Sequence, residues 1–294
     1  MMLALPRRLW AARWAYLFLL PAMIPFALFI LWPMFEGLRL SFYDAQLVSR
    51  KWIGLGNFFA LAQDHAFRKA VLNTIYFVLG VVPLTVAISL FLAVIVSPLR
   101  LMVQSFFRMA FYLPVVAAGV VLSIVWLYIY NPTYGLLNYL LTVFNLPPVQ
   151  WLGTTETALP SLAMVVVSWT IGQPLIIFLA GLAGIPQDLY DAASIDGAGA
   201  WHKFWRVTLP LLMPTTLFVL VTQTINVFQV FVVVLLMTRG GPFNATQTIV
   251  YRIWETAFSF FQFGYASAMG GVLILLVSIV AVIQFKLLGQ EVEY

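Results

Sequence analysis

Polar and charged residues occur along this chain in short bursts separated by long apolar runs. Six runs are long enough to cross a bilayer as helices of roughly 20 residues: 14–35, 72–96, 109–130, 158–181, 210–237 and 265–286. β-Branched and aromatic residues are common in them, but none alternates with period two and each far exceeds the roughly 10 residues of a barrel strand. Backbone groups in hydrocarbon must pair within their own segment, so the pattern predicts six transmembrane helices and an all-α membrane protein. Pro21, Pro25, Pro83, Pro114 and Pro174 lie inside the runs and predict kinks.

Between the first two runs, segment 52–71 is amphipathic from Asn57 onward. Phe58, Leu61 and Phe67 fall near one face and Asp64, Arg68 and Lys69 on another, which predicts a helix on the outer membrane surface. The first run follows Arg7, Arg8 and Arg13, as a signal peptide would. It is longer than the about 7–15 residues of a cleavable core and no small-residue cleavage site follows, so it reads as a retained span. The organisation expected is a first span plus surface segment (1–71), a five-span core (72–288) containing the loop 182–208, and a tail (289–294).

Composition adds exclusions. Hydrophobic residues are 63% of the 294 and charged residues 9%, against roughly 25% charged in soluble proteins. A soluble globular chain is thereby excluded. With no cysteine, thiolate metal sites, disulfides and cysteine nucleophiles are excluded as well. The net charge of +5 requires no nucleic acid, because basic residues near span ends orient the spans and contact membrane lipid headgroups. Loop 131–157 carries no Lys or Arg, whereas loop 97–108 has Arg100 and Arg108 and the N-terminus has three arginines. That bias places both termini, and with them the 182–208 loop, in the cytosol.

Apart from Lys286 at the last position of the sixth, the runs contain no Asp, Glu, Lys, Arg or His. Ion-coupled transporters need ionisable groups in the membrane, so secondary transport is disfavoured. There is no Gly-x4-Gly-Lys-Ser/Thr loop, so an ATPase must be another chain. An enzyme should show paired histidines or carboxylates at one membrane face. His65 and His202 are distant and on opposite sides by this topology, and Asp188, Asp191 and Asp196 read as a solvated turn rather than a cation site. No catalytic residue, metal site or cofactor is expected in the chain.

Polar side chains cluster in two runs. Thr222, Asn226 and Gln229 stand at i, i+4 and i+7 on one helical face, with Gln223 beside them. Thr170 and Gln173 lie one turn apart behind Trp169. Amides donate and accept hydrogen bonds at once, which suits sugar hydroxyls. Such groups can also be interhelical glue, at about 0.6 kcal/mol per bond. Three on one face favour a path for a neutral polyhydroxylated ligand. A phosphorylated ligand is the competitor and calls for Arg or Lys on its route, where Arg239 and Arg252 could serve only at the outer mouth.

The loop 182–208 is polar and rich in small residues. Pro186 suits a first helical turn, Gly197 and Gly199 break the helix, and Ala200–Val207 starts another before Pro210 opens the fifth span. Ala192, Ala193, Gly197 and Ala198 form a surface without bulk. Physics alone leaves two uses open, a connector or a docking element for a soluble partner.

A resemblance favours docking. Asp191-Ala192-Ala193, then Gly197, then nine residues, then Val207-Thr208-Leu209-Pro210 resembles the "EAA, three residues, Gly, nine residues, Ile-x-Leu-Pro" signature of the coupling loop in ABC importer membrane subunits. Asp for Glu and Val for Ile are its two departures. Phe42 with Gly54-Leu-Gly-Asn-Phe58, Leu72-Asn-Thr74, Leu113-Pro114, Trp126 with Asn131-Pro132, Ile185-Pro186, and Thr238-Arg-Gly-Gly-Pro242 with Thr246 extend the resemblance to carbohydrate-uptake permeases similar to those for maltose and glycerol phosphate. The resemblance implies a six-span type I ABC importer permease (MetI-like) fold. It implies a second homologous permease, two ATPase subunits that hold ATP and magnesium, and an extracytoplasmic solute-binding protein. It implies a prokaryotic inner membrane and a sugar, oligosaccharide or polyol as cargo, with glycerol phosphate as the alternative. It assigns ATPase coupling to Asp191, Ala192, Ala193, Ile195, Asp196, Gly197, Ala198, Leu209 and Pro210.

Overall fold

The computed structural model describes residues 13–289, so Arg7, Arg8 and most of the tail 289–294 lie outside it. In chain order the helices are α1 (Arg13–Phe26), continued through a π-turn (Ala27–Leu31) into α2 (Trp32–Leu40); α3 (Gly56–Gln63); α4 (His65–Val96); α5 (Leu101–Val116); α6 (Gly119–Ile129); and α7 (Leu136–Val143). They continue as α8 (Ala158–Thr170), α9 (Gly172–Ala183), α10 (Gln187–Ile195), α11 (Ala200–Lys203), a π-turn (Phe204–Thr208), α12 (Leu209–Leu211), α13 (Met213–Phe228), α14 (Val232–Met237), α15 (Ile249–Trp254) and α16 (Phe263–Leu288). A two-stranded antiparallel ribbon, β1 (Tyr43–Ala45) and β2 (Arg50–Trp52), pairs Tyr43 with Trp52.

Among the described residues four helical stretches are individually long and apolar enough to cross a membrane: Leu17–Leu40, His65–Val96, Met213–Met237 and Phe263–Leu288. Two bent pairs complete six spans, α5 with α6 at 98° and α8 with α9 at 46°. Two expectations need correction. The third run is not one kinked helix: Ala117 and Ala118 are extended between α5 and α6, because Pro114 withdraws a backbone donor one turn earlier and the Trp169 ring occupies the space beside Gly119. The second span begins at His65 rather than at 72. Asp64 caps it, its Oδ1 accepting from the amides of Ala66 (2.8 Å) and Phe67 (3.1 Å), which confines the preceding short helix to α3 and puts Arg68 and Lys69 on the span itself. Pro83 lies inside α4, which runs through it for 32 residues.

The chain divides into two compact units. One comprises residues up to Gln63 with Glu255–Val272. In it Asn57 donates to the carbonyls of Ser41 (2.8 Å) and Tyr43 (2.9 Å), and Phe42 packs against Trp52 and Phe58. The Tyr43 carbonyl takes the place a Cβ would occupy on Gly264. The other unit, Asp64–Trp254 with the chain from Leu273, is built around α4, against which α8, α9 and α13 pack. Its core buries Phe77, Val81, Leu162, Val165, Leu175, Phe178 and Val219.

Two of the scattered motifs meet here. Asn73 Nδ2 donates to the carbonyls of Asn244 (2.9 Å) and Gln247 (3.1 Å). The Thr74 hydroxyl accepts from the Ile249 amide at 3.0 Å. Thr238 and Thr246 join hydroxyls at 2.7 Å across the intervening turn. The Leu72-Asn-Thr74 stretch therefore anchors the loop that carries Thr238–Thr246.

Candidate functional site

Three helix breaks converge in the second unit, and a cavity of about 330 Å³ lies where they meet. Val115 reaches it just before the α5–α6 break, Thr170 and Gln173 flank the α8–α9 bend, and Gln229–Phe231 form the interruption between α13 and α14, with Val232 opening α14. A broken helix frees backbone groups that hydrocarbon cannot satisfy, so non-helical backbone persists at membrane depth only where protein or a cavity supplies partners. Those partners are present. At the α13–α14 interruption Thr248 donates to the Val230 carbonyl at 3.3 Å, and at the α8–α9 bend Ser89 adds a bond to the Ile171 carbonyl at 3.0 Å. Gly172 admits the close crossing of α5, since a Cβ there would sit on the Phe111 carbonyl.

The lining is apolar walls with a few convergent amides. Gln173, Gln223, Asn226 and Gln229 reach the cavity with the Thr170 hydroxyl, against Val166, Trp169, Val227 and Phe231, and no charged residue lines it. Gln173, Asn226 and Gln229 are exposed in the isolated chain. Gln223 is 2% exposed, and its Oε1 is buried without a hydrogen-bond partner. Gln229 also borders a second, apolar cavity of about 480 Å³ with Val250, Ile253 and Leu273.

The structure thus gathers five of the six residues picked out in the two polar runs. Thr222 is the exception. It is absent from the lining, and its hydroxyl turns back to the Phe218 (2.8 Å) and Val219 (3.0 Å) carbonyls of its own helix. The expected Thr222–Asn226–Gln229 face holds only as far as Phe228, where α13 ends, so Gln229 reaches the cavity from irregular backbone instead.

The 182–208 loop forms a hairpin of α10 and α11 leading into the Phe204–Thr208 π-turn. Gly197 ends α10 with φ +77°, its amide bonding to the Ser194 carbonyl (3.1 Å) and the Ala198 amide to Ala193 (2.9 Å). That is the Schellman stop, which needs a left-handed residue. Lys203 donates to the Ser194 hydroxyl at 2.6 Å and Tyr190 meets Thr208 at 3.0 Å, which hold the two arms together. Asp191, Ala192, Ile195, Asp196 and Gly197 are exposed, while Ala193 and Ala198 are half-buried. A Cβ on Gly197 would meet nothing within 4 Å, so the glycine serves the backbone and not close packing within the chain. Ile195 is 87% exposed, and Trp201, which sequence reading passed over, is 73% exposed. Large apolar side chains standing out from a polar hairpin mark an interaction surface, toward another protein or the membrane. The pair Trp201 and Trp205, flanked by His202, Lys203 and Arg206, was the available signal.

The model of one family, "Binding-protein-dependent transport system inner membrane component", matches residues 52–294. The chain belongs to that family. Curated relatives agree along nearly the whole length. A probable ABC transporter permease protein, YesP of Bacillus subtilis, is 36% identical over 95% of this chain and 91% of its own. AmyD of Thermoanaerobacterium thermosulfurigenes, a probable starch degradation products transport system permease protein, is 32% identical over 95% of this chain and 96% of its own. Among solved structures, a chain of a bacterial ABC transporter involved in the import of the acidic polysaccharide alginate superposes with a TM-score of 0.82 at 23% identity. The match covers 98% of this chain and 99% of that one, and it shows that this inner-membrane component has the type I ABC importer permease fold.

Proposed function

We propose that this chain lines one half of the path through an ATP-driven, binding-protein-dependent importer for a sugar, oligosaccharide or related polyol. The observation that carries the reading is the cavity at the three helix breaks, which presents four amides, one hydroxyl and no charge. Amides and hydroxyls match a neutral polyhydroxylated ligand, and the Trp169 and Phe231 rings suit the C–H faces of a sugar ring. The named specialisation of AmyD in starch degradation products supports the same class.

In this reading the α10–α11 hairpin, with Asp191, Ala192, Ala193, Ile195, Asp196, Gly197, Ala198, Leu209 and Pro210, docks in the groove of an ATPase subunit and carries its closure to the cavity. The working assembly has a second homologous permease, two ATPase subunits that bind ATP and magnesium, and an extracytoplasmic solute-binding protein. It lies in a prokaryotic inner membrane with both termini of this chain cytosolic, and the chain performs no catalysis of its own. Transport by Asn226→Ala and Gln229→Ala variants, with binding-protein-stimulated ATP hydrolysis followed in parallel, tests the assignment. Each variant is expected to lose cargo flux while ATP hydrolysis persists. Wild-type flux in both would make the amides interhelical glue.

A further inference from the structure

A third cavity, of about 490 Å³, opens beside the hairpin where α4 and α9 end. Val94, Leu179 and Leu182 give it apolar lining, and Gln104, Arg108 and Lys203 line it with polar and charged groups. Two cations from different elements, α5 and α11, therefore line one pocket, and no carboxylate lines it with them. Among the described residues neither cation is within salt-bridge distance of an acid. Their hydrogen bonds go to neutral oxygens, Arg108 Nη2 to Gln104 Oε1 at 3.1 Å and Lys203 Nζ to Ser194 Oγ at 2.6 Å. Asp191, on the same hairpin, is met by Gln187 Nε2 at 3.3 Å and does not line the pocket. A guanidinium has five donors and an ammonium three, so both retain donors for an anion.

We infer that this pocket binds a phosphate-bearing anion, supplied by the headgroup of an anionic phospholipid. Phosphate chemistry follows from two cations that line one pocket and keep spare donors. The lipid source follows from depth and from the apolar wall. The pocket lies where Val96 and Ala183 end their spans, the level of headgroups, and its Val and Leu side offers acyl carbons a surface that a free anion does not use. A bound headgroup would bridge a span to the hairpin, tying Arg108 to Lys203 and making the hairpin's position respond to membrane composition. Only the placing of this face in the cytosol rests on the proposed function; the binding itself does not.

Native mass spectrometry of the full-length chain in detergent, with phosphatidylglycerol or phosphatidylcholine added, tests the inference. Preferential retention of phosphatidylglycerol is expected. The single variants R108Q and K203Q should each weaken it about fivefold and the pair about thirtyfold, from the contribution of one cation at an anionic surface. The charge-preserving pair R108K/K203R should keep it, and phosphatidylcholine should be unaffected throughout. Undiminished phosphatidylglycerol retention by the R108Q/K203Q pair overturns the site, as does equal loss in R108K/K203R. Displacement of phosphatidylglycerol by inorganic phosphate at matched free concentration overturns the lipid as source in favour of a soluble anion. Wild-type flux in the cavity variants at Asn226 and Gln229, which would overturn the proposed path, would leave this result untouched.

Discussion

At the scale of single residues, Gln223 bears the sharpest consequence. Its Oε1 is buried in α13 at the cavity with no hydrogen-bond partner. A buried acceptor left unpaired costs about 1–3 kcal/mol, a cost that a ligand hydroxyl would remove when it donates there. Gln223→Leu, similar in volume and without the orphaned oxygen, is expected to hold or raise the unfolding midpoint of the chain while cargo transport falls. A thermal scan run beside the transport assay checks this, and a lower midpoint with unchanged transport would assign Gln223 to structure alone. The helical wheel places this residue beside the polar face rather than at its centre. An ideal wheel cannot register that Thr222 spends its hydroxyl on Phe218 and Val219, or that α13 stops one residue before Gln229.

At the scale of elements, the hairpin separates backbone from charge. Gly197 is left-handed with open space around it, so a side chain there strains the turn by about 1–2 kcal/mol without striking its own chain. Asp191 is exposed, and changing it should leave the isolated chain within about 0.5 kcal/mol of its stability. Asp191→Lys is therefore expected to fold normally yet lose copurification with the ATPase, because the proposed docking sets Asp191 against a cation of the ATPase groove and a reversed charge leaves that desolvated cation unpaired, at about 3–5 kcal/mol. Gly197→Leu is expected to lose both the turn and the ATPase. Pull-down yield alongside thermal stability distinguishes the two, and wild-type yields from both would remove the hairpin from the coupling role. The spacing of Asp191, Gly197 and Pro210 makes this element legible in the sequence. The same spacing cannot separate a glycine needed for φ from one needed for close approach, since both demand the absence of a Cβ.

At the scale of the whole molecule, the chain is expected to move nothing alone. It lacks a phosphate loop, and the most apolar window of Leu17–Leu40 has no fully buried residue within the chain, leaving much of its surface to lipid or a partner. Uptake measured in liposomes should be absent for the purified chain and appear only with a second permease, ATPase subunits and binding protein. Uptake by the chain alone would make it a facilitator. The sequence by itself determined the membrane class, the six apolar runs, the hairpin with its stop at Gly197, and the amide-bearing positions of two runs. These are local properties, set by hydropathy over about 20 residues and by the φ that one glycine permits. Tertiary structure alone decided that the third run breaks at 98°, that Asn73 seats a loop some 171 residues away, and that three interruptions meet at one cavity. Those outcomes depend on which distant side chain reaches a freed carbonyl and where a ring such as Trp169 finds a glycine to lie against, and no window along the chain contains both partners.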